Sequence, residues 1–228
     1  MSKSVLISIQ PKWCELIAAG KKTIEVRKTK PQLETPFKVY IYCTNTRPFL
    51  VWGDVFRGDW ETELTAISGY SRKEAERIWD VFNGNVIGEF VCDEILDYDI
   101  AEASTDVGVF YYYERFLENS LNDCLTDGEL LDYGDFKPLY GWHISHLNIY
   151  DTPEALNHFS VIDKAAVQKC EYRERVYNNP GLTNSSWLPG GYVCNNGKVD
   201  WCSQCKTKPI IRPPQSWCYI EDVYRVAK

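Results

Sequence analysis

The chain has 228 residues, nine of them cysteine, with 44% hydrophobic and 25% charged residues, which suits one globular domain with large additions or two small ones. No apolar run approaches the roughly 18–20 residues of a membrane span, the opening MSKSVLISIQPKW is too short and too soon interrupted for a signal peptide, and 14% aromatic residues argue against disorder. The net charge of −7 divides into +6 over residues 1–50, −15 over 51–150 and +2 over 151–228, which excludes a generally basic nucleic-acid binder but leaves a local basic face suited to a short segment or a single nucleotide.

Val5–Ile9 reads as a short, β-branched strand. Pro11 opens a helix with Trp13, Leu16 and Ile17 at helical spacing and Gly20 at its end. After a turn at Gly20-Lys21, Thr23–Arg27 alternates polar and apolar residues, which predicts a strand with one face of each kind. Lys38–Cys43 is almost continuously apolar and predicts a central strand. Residues 44–70 read as an irregular insertion. Ser71 and Glu74 form a capping box that predicts a helix through Phe82, ended by Asn83-Gly84. Val86–Cys92 predicts a strand, and the acidic stretch 97–137 a helix around Phe110–Leu117. Tyr140–Tyr150 predicts one strand, Thr152-Pro153 the cap of a short helix to Phe159, and Trp217–Val226 the final strand. The sum is an α+β fold around a small antiparallel sheet or barrel. Pairing of the first and last strands would close such a barrel and remove its edges.

The densest polar signal is Lys21-Lys22-Thr23-Ile24-Glu25-Val26-Arg27-Lys28. On one strand face, Thr23, Glu25 and Arg27 would set a carboxylate between a hydroxyl and a guanidinium, with Lys21 and Lys22 at the mouth of the turn. Such a set can orient a phosphate or a base edge, or do acid–base work on a carbonyl. It can equally be a solvated face of cross-strand ion pairs. Lys12 and Trp13 stand at a helix N-terminus, where an anion is favoured and an indole offers a stacking face. Trp13 can instead pack the helix onto the barrel. His143 and His146 lack the spacing of a metal site and read as structural. Cys14, Cys43, Cys92 and Cys124 lie singly. By contrast, Cys194, Cys202 and Cys205 sit in a Gly/Asn-rich loop, the last two as C-x-x-C. With Cys170 or Cys218 as a fourth ligand, or less readily His158, they would bind a structural zinc; unligated thiols are the other reading. Cysteines without a secretory signal point to a reducing, cytoplasmic setting.

The runs SVLISIQPKWCELIAAGKKTIEVRKTKP, PFKVYIYCT, YGWHISHLNIYDTPEAL and PPQSWCYIE together resemble the ASCH domain of the PUA-like superfamily, in its bacterial and phage versions. The resemblance implies a single ASCH domain over 1–228, with insertions at about 44–84, 97–137 and 160–212. It implies a small β-barrel with short rim helices and a cleft lined by the Lys-Thr-x-Glu-x-Arg strand, with Asn45 and Thr46 on the same cleft. Relatives are thought to bind RNA or nucleotides. Shorter bacterial members hydrolyse the acetyl amide of acetylated cytidine; their catalytic lysine maps onto Lys22, and a participating threonine onto Glu25. They also use a carboxylate from a later loop, with no single counterpart among the acids of 93–135.

Three functions follow as expectations. The first is a module binding RNA, a short single-stranded nucleic acid or a nucleotide through Lys12, Trp13, Lys21, Lys22, Thr23, Glu25 and Arg27. The second is a hydrolase of modified nucleosides or of RNA, with Lys22 and Glu25 catalytic. The third is a protein-interaction scaffold with a zinc-stabilised loop. None calls for an organic cofactor or a membrane. Binding ranks above catalysis, because only one catalytic position of the hydrolases has its match here.

Overall fold

A computed structural model describes residues 3–45, 83–106, 108–115, 122–168 and 207–221. The predicted helix over 71–82, most of the insertion at 44–84, and residues 169–206 of the Cys-rich region lie outside the described residues. In chain order the elements are β1 (Lys3–Ile9), α1 (Pro11–Ala18), β2 (Ile24–Arg27), β3 (Phe37–Cys43), β4 (Asn85–Cys92), β5 (Ile95–Thr105), β6 (Gly108–Glu114), α2 (Asp127–Gly134), β7 (Leu139–His143), β8 (Ser145–Ala155), β9 (Ser160–Ile162), α3 (Lys164–Gln168), β10 (Thr207–Pro209) and β11 (Trp217–Glu221). The α+β class holds: strands dominate and the helices are short.

Five strands form one sheet in the order β11-β1-β3-β4-β8, and four form a second in the order β2-β7-β5-β6. β1 and β3 pair in parallel and the other ladders are antiparallel. The parallel pair is possible because α1 and β2 lie between its strands and supply the crossover.

The first sheet is covered on both faces, which explains its continuously apolar sequences. Val5, Ile7 and Ile9 of β1, with Phe37, Val39 and Ile41 of β3, turn to the layer that also holds Phe90 and Trp142. Leu6, Tyr40 and Tyr42 turn the other way, onto Val86, Tyr150, Phe159 and Ile220. Each fully buried aliphatic side chain contributes about 1.5–3 kcal/mol. Trp142 belongs to β7, so the first layer lies between the two sheets. A third cluster of Ile24, Val26, Tyr98, Leu130 and Leu139 covers the opposite face of the second sheet with α2.

Four expectations are corrected. Residues Gly108–Glu114 form a strand on β5, from Asp99↔Glu114 to Thr105↔Gly108, in place of the helix expected around Phe110–Leu117. The run of Phe and three Tyr prefers a pleated surface once a neighbour strand is present. The segment after Thr152 stays extended to Ala155 and turns only over the three-residue 3-10 stretch Leu156–His158. Pro153 fits there because β8 is an edge strand and its register with β4 slips nearby. The single strand Tyr140–Tyr150 is two, β7 and β8, on different sheets. Finally, β1 and β11 pair as expected, from Lys3↔Glu221 to Ile7↔Trp217, yet β11 is a sheet edge. Among the described residues no ladder joins the two sheets, so the barrel is open, and the cleft lies between them.

Candidate functional site

The cationic ribbon is placed by the turn before it. α1 ends at Gly20, whose φ of +68° suits a residue without Cβ. The Leu16 carbonyl then accepts the amides of both Lys21 and Lys22. The amides of Thr23 and Ile24 both donate to the Asn122 carbonyl, at 2.8 and 3.1 Å. Thr23 Oγ1 accepts the Asn122 amide at 2.8 Å. The start of β2 is thereby held between α1 and the segment 122–126.

Strand alternation does the rest. Ile24 and Val26 face the cluster under α2, so Glu25 and Arg27 face the space between the sheets, on the side of Trp142, the register partner of Glu25. The predicted polar face is therefore not a solvated one. Lys22 is 2% exposed, Glu25 5% and Arg27 7%.

These three groups form the floor of a cavity of about 710 Å³, which Trp13 borders from α1, Glu129 and Tyr133 from α2, and Ser216 from the chain before β11. Arg27 Nη2 lies 2.8 Å from Glu25 Oε1 and donates to the Ser8 carbonyl at 2.7 Å. Arg27 Nη1 reaches Ser216 Oγ at 3.4 Å. Lys22 Nζ donates to the Asp123 carbonyl and stands 3.7 Å from Glu25 Oε2. Two buried polar atoms of this floor have no hydrogen-bond partner: Glu25 Oε2 and Arg27 Nε. Such an atom costs about 1–3 kcal/mol when left unsatisfied.

The rim is mixed. Above the Trp13 ring, Lys12 Nζ lies 4.3 Å and Lys22 Nζ 5.1 Å from the centroid. Lys12 also approaches the Glu129 carboxylate at 3.9 Å. Burial would raise the Glu129 carboxyl, but hydrogen bonds from the Thr126 amide and hydroxyl outweigh it and hold it below its ordinary value. The Thr126 amide bond, with the Glu129 amide donating back to the Thr126 hydroxyl at 3.2 Å, is a capping box that starts α2. Burial pushes the Tyr133 hydroxyl up. Behind the floor, Asp123 is 2% exposed and its carboxylate is fully occupied, taking hydrogen bonds from Arg115, Tyr98 and the Leu125 amide.

Of the residues predicted from sequence, Trp13, Lys22, Glu25 and Arg27 line the cavity. Lys12 sits on Trp13, Lys21 is exposed, and the Thr23 hydroxyl is taken by Asn122. Thr44 lines the cavity, Asn45 is exposed, and Thr46 lies outside the described residues. Sequence reasoning missed Ser8, Glu129, Asp132, Tyr133 and Ser216. One signal was available: Thr126-x-x-Glu129 before Leu130-Leu131 is a capping-box pattern that announces α2.

Of the zinc candidates, Cys170, Cys194, Cys202 and Cys205 lie outside the described residues. Cys218 lies on β11, where burial pushes its thiol up to about 11. His158 is exposed. Among the described residues, no group of three His, Cys, Asp or Glu side chains could hold a metal ion. No helix among them is long and apolar enough to cross a membrane.

The model of the ASCH domain family matches residues 7–115, which bears out the resemblance read from the cationic run. Solved structures similar to this chain include two of one bacterial protein. The crystal structure of ASCH from Zymomonas mobilis aligns at 16% identity and a TM-score of 0.39, covering 73% of this chain and 79% of that one. That of a mutant of the same Zymomonas mobilis protein, with one tyrosine replaced by phenylalanine, aligns at 15% identity and 0.39, covering 74% and 83%. No curated protein matches the chain.

Proposed function

We propose, from the ASCH resemblance of residues 7–115 and from the chemistry of the cavity, that the chain binds a nucleotide or a short single-stranded nucleic acid, with one base in the cavity. The observation that carries this reading is the buried charged set Lys22, Glu25 and Arg27 lining a cavity large enough for a base. A base edge offers adjacent donors and acceptors, which suit a carboxylate beside a guanidinium. Trp13 and Tyr133 supply aromatic walls, and Lys12 and Lys21 stand outside, where a phosphate would lie. The acidic groups Glu129 and Asp132 on the α2 side disfavour a long polyanion.

Calorimetric titration of nucleosides, mononucleotides and short single-stranded RNA at two salt concentrations tests it. Glu25→Gln and Arg27→Gln are each expected to weaken binding about tenfold or more, the value of a lost charge-assisted hydrogen bond. Affinity unchanged in both variants would remove the cavity as the binding site.

One observation favours a second reading, hydrolysis of an acyl amide on a modified nucleoside: Lys22 and Glu25 share one buried position, 3.7 Å apart. Lys22 would donate to the carbonyl oxygen while Glu25 takes a proton from the attacking water. That proton passes to the departing amine as the C–N bond breaks, leaving the carboxylic acid and the free nucleoside. Turnover of acetylated cytidine that disappears in Lys22→Ala would establish it; no turnover across a panel of acylated nucleosides would exclude it. As part of either reading, Cys194, Cys202 and Cys205 with Cys170 or Cys218 are proposed to hold a structural zinc. Elemental analysis of protein purified without added metal checks this, and a zinc content near zero would refute it.

A further inference from the structure

The Lys22 amine has an unusual partner. It donates not to a side chain but to a main-chain carbonyl, that of Asp123, 101 residues along the chain. Where that carbonyl stands depends on the Asp123 side chain. Arg115 Nη1 grips the carboxylate at 3.2 and 3.1 Å, Tyr98 donates at 3.0 Å, and the Leu125 amide at 2.9 Å. Arg115 also donates to the Leu125 carbonyl at 2.9 Å and pairs with Asp127 at the start of α2. The next residue, Cys124, is held at a φ of +58°, and its amide donates to Asn122 Oδ1 at 2.8 Å. A non-glycine residue in that region persists only where its surroundings over-determine it. Here they do: every residue from Asn122 to Leu125 is tied by a hydrogen bond to the ribbon, to Arg115 or within the segment.

We propose that Asp123, gripped by Arg115 and Tyr98, is the positioning residue of the cleft: its main-chain carbonyl sets the place of the Lys22 amine, so that Arg115, which does not line the cavity, governs what the floor can bind. This rests on the cavity being the ligand site, and it deepens that reading by giving the floor its support. The carboxylate acts through loop shape, not through contact with a ligand.

The first arm of the test needs no ligand. Competitive acetylation of lysines, read by tandem mass spectrometry, compares Lys22 with the exposed Lys30. Opening the loop in Arg115→Gln or Asp123→Asn is expected to raise relative labelling of Lys22 about tenfold, with Arg115→Lys closer to the wild-type value. Tyr98→Phe removes one hydrogen bond only and serves should the stronger variants not fold. An unchanged labelling ratio in the folded variants overturns the proposal. The second arm is a double-mutant cycle on cytidine affinity. Arg115→Gln is expected to weaken binding about tenfold in the wild-type background and less than about twofold on Lys22→Met. Equal losses in both backgrounds would mean that Arg115 acts on overall stability and not through Lys22, and would also overturn it. Should the wild type bind no nucleoside, the cavity reading fails by itself, while the labelling arm still decides the role of Asp123.

Discussion

β1 and β2 are both buried strands, and they are buried for opposite reasons. β1 lies in the middle of a sheet with apolar layers above and below it, so Val5, Leu6, Ile7 and Ile9 add to stability as they leave water. β2 is an edge strand of the other sheet. It sends Ile24 and Val26 to one apolar layer and a carboxylate and a guanidinium into the opposite, enclosed side. Placing ions there carries a desolvation penalty that their mutual attraction must offset, and Glu25 Oε2 and Arg27 Nε make no hydrogen bond. The difference teaches where to look for function. β1 is what folding selects, whereas β2 and Lys22 carry buried charge that an apolar core does not need.

The largest expected effect tests that contrast directly. Glu25→Ala leaves Arg27 and Lys22 buried beside no carboxylate and should cost about 3–5 kcal/mol in urea unfolding. The joint replacement of Lys22 by Met and of Glu25 and Arg27 by Leu removes the whole buried charge set and should be near neutral in stability while abolishing ligand binding. A joint variant as unstable as the single one would break the comparison. Ile41→Ala on β3 should cost about 2–5 kcal/mol, with nucleoside affinity of the folded protein unchanged. A smaller effect is expected at Gly134, where an added Cβ would fall 1.9 Å from the Tyr113 hydroxyl. Gly134→Ala should cost about 1–3 kcal/mol by forcing α2 off the second sheet, and a thermal melt reads it. Thr126→Ala removes the cap of α2 and should cost about 1 kcal/mol.

The smallest effect is on pH. The Glu129 carboxyl titrates below its ordinary value when folded. Its stabilising contribution is therefore complete above the unfolded value and fades as pH falls through the folded one. The stability difference between wild type and Glu129→Gln should close across that acid window in parallel melts. A difference that persisted below it would show that Glu129 acts other than through its charge.

The correct elements share a feature: their signals are local and mutually consistent. Pro11 and Gly20 bracket α1, and the β-branched runs of β1, β3 and β4 are long enough to outvote any helical period. Misreadings arise where a neighbouring strand decides the outcome. Phe110–Tyr113 carry apolar residues on every position, which suits a helix or a strand, and the ladder to β5 settles it. In Tyr140–Tyr150 the apolar residues fall on even positions through Ile144 and on odd ones at Leu147 and Ile149, so the alternation changes phase where the chain passes from β7 to β8. At the site, the run Gly20–Arg27 already held Lys22, Glu25 and Arg27, and the spacing showed that Glu25 and Arg27 share a face.

What the sequence by itself determined is which residues could act together along one ribbon, because that depends only on backbone periodicity over a few positions. What only the tertiary structure decided is that the polar face of this ribbon is buried, that α2 borders the same cavity, and that the Asp123 carbonyl meets the Lys22 amine. The physical reason is range: alternation is set between adjacent residues, whereas burial and the Asp123 contact are set by segments about a hundred residues apart, whose packing leaves no mark on the local pattern.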